Sequence, residues 1–210
     1  MKHAKRHPLI FGTIILTATG LITRVIGFFY RIYLSRLFGE EGMGIYQLLS
    51  PALSLSFSLT AAGYQTAISK YVAADSAKRP SGNLKPLLAG TSITLPLSLV
   101  TNAILFFSAD PIGIFLLKDH RTVPMLRILS FSVPFAALHA CINGYFYGKK
   151  KASVPALTQL LEQLARVSCV FLVTGADLAE GRTPSINAAV LGLTVGEIFS
   201  MLIALVCLYI

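Results

Sequence analysis

The stretch "LITRVIGFFYRIYLSRLFGEEG", residues 21–42, closes a long apolar run and carries Arg24, Arg31 and Arg36 within it. An apolar segment of this length reads as a membrane helix, because about 20 residues at 1.5 Å each cross the hydrocarbon core. A charge at bilayer depth costs a few kcal/mol or more, so it normally faces a bundle interior or a wet cavity. Arg24 and Arg31 are seven residues apart, which turns the helix about 700° and points both side chains in nearly one direction. Gly27 lies between them on that face, where a backbone can come close to a ligand or another helix. Arg36, near the outer end beside Tyr30 and Tyr33, is placed to snorkel to the interface.

The rest of the chain agrees with a membrane setting. Of its 210 residues 54% are hydrophobic and 13% charged, about half the charged share of a soluble domain. Mean hydropathy is +0.69. The net charge of +9 is read as cytoplasmic loop charge facing anionic lipid rather than as a nucleic-acid surface. Six segments are long enough to span: residues 8–37, 44–74, 84–108, 123–147, 154–174 and 185–210. Backbone in lipid must satisfy its own hydrogen bonds, so the expected fold is an all-α membrane protein, a six-helix bundle. Lys2, Lys5 and Arg6, then Lys78, Arg79 and Lys85, then Lys149, Lys150 and Lys151 fall on one side of such a bundle. The opposite loops are mixed or acidic, so the positive-inside rule places the N-terminus in the cytoplasm. "MKHAKRH" is basic, but the apolar run after it is too long for a cleavable signal peptide. The last ten residues, "MLIALVCLYI", stop inside an apolar run, as expected of a piece of a longer protein.

Further polar groups lie within the spans. The second helix carries Gln47, Ser54, Ser58 and Gln65 on one stripe, which either lines a polar cavity or packs against another helix; Pro51 is expected to kink it. Gly63 is expected to break the pattern. In the fourth helix His139 reads as a helix–helix hydrogen-bonding group rather than a proton relay. Glu162 and Arg166, four apart in the fifth helix, are spaced to pair along it. Their pair is read as structural, with a gate or substrate contact as the other reading. Glu197 in the sixth helix has no partner on its own helix; it either pairs with an arginine or holds a proton or cation. Cys141, Cys169 and Cys207 show no C-x-x-C spacing. There is no Ser-His-Asp set, ligand cluster for a metal or Walker loop, and so no case for an enzyme or a cofactor.

Longer stretches carry a resemblance: "GTIILTATGLITRVIGFFYRIYLSRLFGEEGMGIYQLLSPALSL", "GYQTAISKYVA" and "GYFYGKKKASVPALTQLLEQLAR". They contain R-x-x-G-F with a following Arg, G-x-G-x-Y-x-x-x-x-P, A-I-S-K and P-A-x-x-Q-x-x-E-Q-x-x-R. In this order they resemble the stage V sporulation protein B-like polysaccharide transporters. These are relatives of the lipid II flippases in the multidrug/oligosaccharidyl-lipid/polysaccharide exporter superfamily. The resemblance implies twelve to fourteen helices in two lobes around a cationic cavity, with this chain matching the first lobe and the C-terminal lobe absent. It implies an undecaprenyl-pyrophosphate-linked oligosaccharide as substrate, for peptidoglycan or another polysaccharide and in a sporulation context. It also implies alternating access in a bacterial cytoplasmic membrane, with membrane lipids and the second lobe as partners. Arg24 matches the family's first cavity arginine. The lipid II flippases place the second one residue before Arg31, where this chain has Tyr30, while the sporulation-type group resembles the spacing here. The substrate-facing set on this reading is Arg24, Arg31, Gly27, Gln47, Ser54 and Ser58, with Glu162, Arg166 and Glu197 as coupling or structural charges. Two other functions compete. A small-cation or drug exporter of the same superfamily needs an acidic rather than an arginine-rich site, and a non-transporting scaffold for wall synthesis needs large soluble loops.

The topology is testable on a background with the native cysteines replaced. Single cysteines at Asp119 and Thr183 should react with a membrane-impermeant thiol reagent on intact cells, and one at Ser81 should not. Labelling at Ser81 overturns the N-in arrangement.

Overall fold

The structure is a computed structural model and describes residues 8–78 and 84–209. The basic residues Lys2, Lys5, Arg6 and Arg79, and Ser81, lie outside the described residues. Helix α1 runs Pro8–Leu48 and is divided at Gly39, whose φ of 69° and ψ of −177° are non-helical. Glycine alone adopts that combination readily, so the first two expected spans meet at this residue. Helix α2, Ser50–Phe57, follows, then a π-helical turn, Ser58–Ala62, and α3, Gly63–Lys78. Helix α4 is Lys85–Phe107. A short outer piece consists of α5, Ala109–Pro111, and a second π-helical turn, Ile112–Leu116. Helices α6, Thr122–Gly148, α7, Ser153–Ala179, and α8, Asn187–Tyr209, complete the chain. The described residues are helical or in short turns and connections, so the fold is an all-α bundle.

Two local expectations differ from the structure. Pro51 sits in the first turn of α2 rather than kinking a helix interior; there its missing N–H is one that would have had no helical partner. Gly63 is helical, with φ −66°. The irregularity comes just before it, in the π-helical turn, where Thr60 Oγ1 donates to the Ser56 carbonyl at 2.7 Å. A π turn inserts one extra residue into the winding, so the register of the polar stripe shifts between Ser58 and Gln65.

Among the described residues five stretches are long and apolar enough to cross a membrane, the first running through Gly12–Ser76 across the Gly39 break. This is a multi-pass membrane architecture. Helix α6, at 27 residues, is the central element. Over its most apolar window 61% of residues are buried, against 6% for the Gly12–Ser76 stretch and 17% each for α4 and α7. It contacts α3 and α4 on one side and α8 on another. Helix α7 packs on α8, and α1 joins the bundle chiefly through α7. Met125, Leu126, Leu129 and Val133 of α6 form a core with Leu49, Leu105 and Val190.

The helices meet at small residues. A Cβ at Gly144 of α6 would stand 2.5 Å from the Gln65 carbonyl oxygen, and one at Gly148 would stand 2.6 Å from that of Ser69. On α8, a Cβ at Gly192 would come within 2.4 Å of Val170 Cγ2, and one at Gly196 within 3.1 Å of the Glu162 carbonyl oxygen. Without a solvent-driven hydrophobic force between helices in lipid, such close approach is the main source of packing energy.

Charges on the side of the α5–α6 connection pair with one another. Arg121 reaches Glu41 at 2.8 Å and Asp119 at 3.1 Å. Arg127 reaches Asp110 at 2.5 Å. Hydrogen bonds from the Arg121 side chain and backbone hold the Asp119 carboxyl below the ordinary carboxylate range. That contribution is present above the unfolded pKa and is lost as pH falls through the folded one. At so exposed a site it is screened by solvent.

Replacing Gly144 with Ala should force α3 and α6 apart and destabilise the bundle by about 1–3 kcal/mol, the usual cost of overpacking. Gly175→Ala is the control, because a Cβ there has nothing within 4 Å. Membrane accumulation and thermal midpoint should fall for the first variant and not for the second.

Candidate functional site

The arginine face belongs to α1. Arg24 stands 16 residues into the helix from Pro8, about 24 Å along it, near the middle of the rod that ends at Gly39. Arg24 and Arg31 are both exposed on the surface of the bundle. Among the described residues neither is recorded in an ion pair or a hydrogen bond. Gly27 is half-buried, and a Cβ on it would lie 3.6 Å from Gln163 Nε2 of α7. The neighbouring face of α1 holds the helix to α7. Tyr30 and Leu34 are buried, Tyr33 stacks on Phe171 with centroids 4.1 Å apart, and its hydroxyl bonds Thr174 Oγ1 at 2.7 Å. Arg36 is exposed.

Of the expected polar stripe, Gln47, Ser54 and Ser58 are exposed. Gln65, one π turn further on, lines a cavity instead. The cavity holds about 230 Å³ and is also walled by His139 and Asn143 of α6, Gln159 and Glu162 of α7, and Glu197 of α8. Unlike the two apolar grooves elsewhere on the surface, it is lined mainly by polar groups.

His139 is the hub of this cavity. Its Nε2 lies 2.8 Å from Asn143 Nδ2, 3.2 Å from Thr158 Oγ1 and 2.9 Å from Ser200 Oγ. These contacts tie α6 to α7 and α8. Its Nδ1 faces Glu197 Oε2 at 3.5 Å. Thr158 donates to the Pro155 carbonyl at 3.0 Å, and Ser200 to the Thr158 carbonyl at 3.3 Å. Arg166 donates to Glu162 one turn away on α7. Thus the structure pairs Glu162 with Arg166 and sets Glu197 beside His139, and neither glutamate meets Arg24 or Arg31. Because α8 approaches α7 at Gly192 and Gly196, His139, Glu162 and Glu197 each offer an atom within 4.8 Å of the others. Sequence reasoning took these three one at a time. They stand on three helices, and no spacing along the chain joins them.

The geometry therefore defines a multi-pass helical membrane protein with an arginine-bearing face and a separate acid–histidine cavity. The family model for "Polysaccharide biosynthesis protein" matches residues 9–210, and the chain belongs to that family. It is 36% identical over 197 residues to the stage V sporulation protein B of Bacillus subtilis (strain 168), covering 93% of this chain and 38% of that one. To the lipid II flippase MurJ of the same organism it is 27% identical over 179 residues, covering 81% of this chain and 32% of that one. To its sporulation protein YkvU it is 25% identical over 162 residues, 77% of this chain and 35% of that one. The chain spans about a third of the length of these curated relatives. No solved structure matches it significantly.

The Glu162–Arg166 pair carries a stability prediction. Removing one partner of a buried pair leaves the other charge uncompensated, at a cost of about 3–5 kcal/mol. Glu162→Gln or Arg166→Gln alone should lower membrane accumulation, and the double change should partly restore it. Normal accumulation with lost activity in both single variants would assign the pair to the substrate path instead.

Proposed function

We propose that the chain is the first lobe of a flippase that moves an undecaprenyl-pyrophosphate-linked oligosaccharide across the cytoplasmic membrane by alternating access, its cavity completed by a second lobe. On this reading the N-terminus is cytoplasmic. The observation that supports it is the state of Arg24 and Arg31: two cations well inside a membrane-length helix, on one face, with no ion pair or hydrogen bond to the protein among the described residues. Such charges need a counter-charge or water. A water-filled cavity between two lobes supplies the water, and a pyrophosphate supplies the counter-charge. The guanidinium fork donates two parallel hydrogen bonds to phosphate oxygens, which an ammonium cannot match. The lipid tail stays in the bilayer while the head group, which hydrocarbon rejects strongly, moves along the arginine face. Gly27 leaves room beside that face, and Gln47, Ser54 and Ser58 offer hydroxyls and an amide for the sugar. The family description, polysaccharide biosynthesis, and the name of one relative, a lipid II flippase, support the same substrate class, and two relatives named as sporulation proteins support a sporulation setting.

Arg24→Lys keeps the charge and loses the fork, so it should weaken activity; Arg24→Ala should weaken it further. Both are to be measured in the full two-lobed protein as growth and precursor flipping in a strain that depends on it, with membrane abundance alongside. Normal growth and flipping by Arg24→Ala at normal abundance would remove the arginine face from the mechanism.

A further inference from the structure

We infer that the cavity between α6, α7 and α8 is an alkali-metal-ion site, with the carboxylates of Glu162 and Glu197 as its charged ligands and His139 as the group that positions Glu197. The Asn143 amide N–H donates to His139 Nε2, so this nitrogen is an acceptor and the ring proton sits on Nδ1. The ring is then neutral, and its Nδ1–H faces Glu197 Oε2 at 3.5 Å. The charged groups around the cavity are Glu162 and Arg166 from α7 and Glu197 from α8. With both carboxylates ionised, these two and one guanidinium, the charged groups among the described residues there, leave one negative charge uncompensated in the interior of the bundle. One monovalent cation restores neutrality; a divalent one would leave an excess positive charge instead.

Geometry adds an independent observation. Glu197 Oε2 is fully buried and accepts no hydrogen bond from any described group. A buried oxygen left this way is costly unless something else occupies its lone pairs. The Arg166 bond does not exhaust Glu162, since a carboxylate accepts from about four directions. One oxygen from each glutamate and a nitrogen of His139 lie within 4.8 Å of one another. The two glutamate oxygens can share a cation at up to about 2.4 Å each, wider than the 2.0–2.1 Å that magnesium demands, while the His139 nitrogens, one protonated and the other accepting from Asn143, are not ligands. The side-chain amides of Gln65 and Gln159 line the same cavity and supply neutral oxygens, the hard donors that an alkali ion prefers. His139, with its side chain 10% exposed, is fixed from behind by Asn143, Thr158 and Ser200. This is the usual way in which an outer group orients a ligating carboxylate.

This inference does not depend on the flippase reading, because it concerns an ion held by the bundle itself. The test uses the purified chain in detergent with Cys169 and Cys207 replaced, its thermal midpoint followed by a thiol-reactive dye that reports exposure of buried Cys141. Sodium or potassium chloride is varied against choline chloride at constant ionic strength and pH. The midpoint should rise by about 3–5 °C for each tenfold of alkali ion above its dissociation constant. Glu197→Gln should remove that rise, and Asp110→Asn, on the outer connection, should keep it. Equilibrium dialysis with radioactive sodium should find one ion per wild-type chain, a measurement that stands even if Glu197→Gln fails to accumulate. Equal midpoints in choline and alkali salts, a rise that survives Glu197→Gln, stabilisation by divalent ions only, or a midpoint that follows pH and ignores alkali ions would each overturn the assignment.

Discussion

The bundle depends on how closely α8 can approach α7. At Gly192 and Gly196 the absence of a side chain lets the α8 backbone lie against the backbone carbonyls of Arg166 and Glu162. Lipid offers no hydrophobic drive for this contact, so dispersion between closely fitted surfaces must hold it. The same contact sets Glu197, next to Gly196, within reach of Glu162, and places Ser200 one turn on where it bonds His139 of α6. Packing and polar chemistry therefore share one cause. A larger residue at either glycine would separate the helices and take the cavity apart with them.

The two charged regions are chemically opposed. The α1 face carries cations with no ion pair or hydrogen bond to the protein among the described residues, whereas the cavity between α6, α7 and α8 carries an excess of carboxylate. An exporter of small cations would need the acidic region to be the transport site and would leave the arginines without a purpose. Helix α7, against which α1 packs, also lines the acidic cavity through Gln159 and Glu162, so the two regions share one helix.

The class of fold was legible from the chain because the bilayer allows few solutions: long apolar runs with internally bonded backbones must be helices. Helix limits agree within a few residues for α4, α6 and α8, where turn or polar residues flank the apolar run. The α7 helix extends five residues beyond the expected end at Thr174, through Asp177 to Ala179, because helices in membranes continue into the interface where polar residues are tolerated. The π-helical turn at Ser58–Ala62 had no composition signal, and a stripe counted at 100° per residue cannot anticipate it. Glu162 and Arg166 could be linked by their spacing alone. The link from both to His139 and Glu197 needed the order of helices around α6, which hydropathy does not carry.

The break at Gly39 makes a lever of α1. The rod from residue 8 to residue 38 is about 46 Å long and is joined to the next segment at one residue. Its contacts run along its length: Tyr33 bonds Thr174 about 9 Å from that fulcrum, and at the far end a Cβ on Gly12 would stand 3.2 Å from Ala152 Cβ. For a rotation of about 10°, displacement grows in proportion to distance, from about 1.6 Å at Tyr33 to about 4 Å at Arg24 and about 8 Å at the far end. Any turn about Gly39 would therefore part Gly12 from Ala152 well before it moved the Tyr33 contact as far.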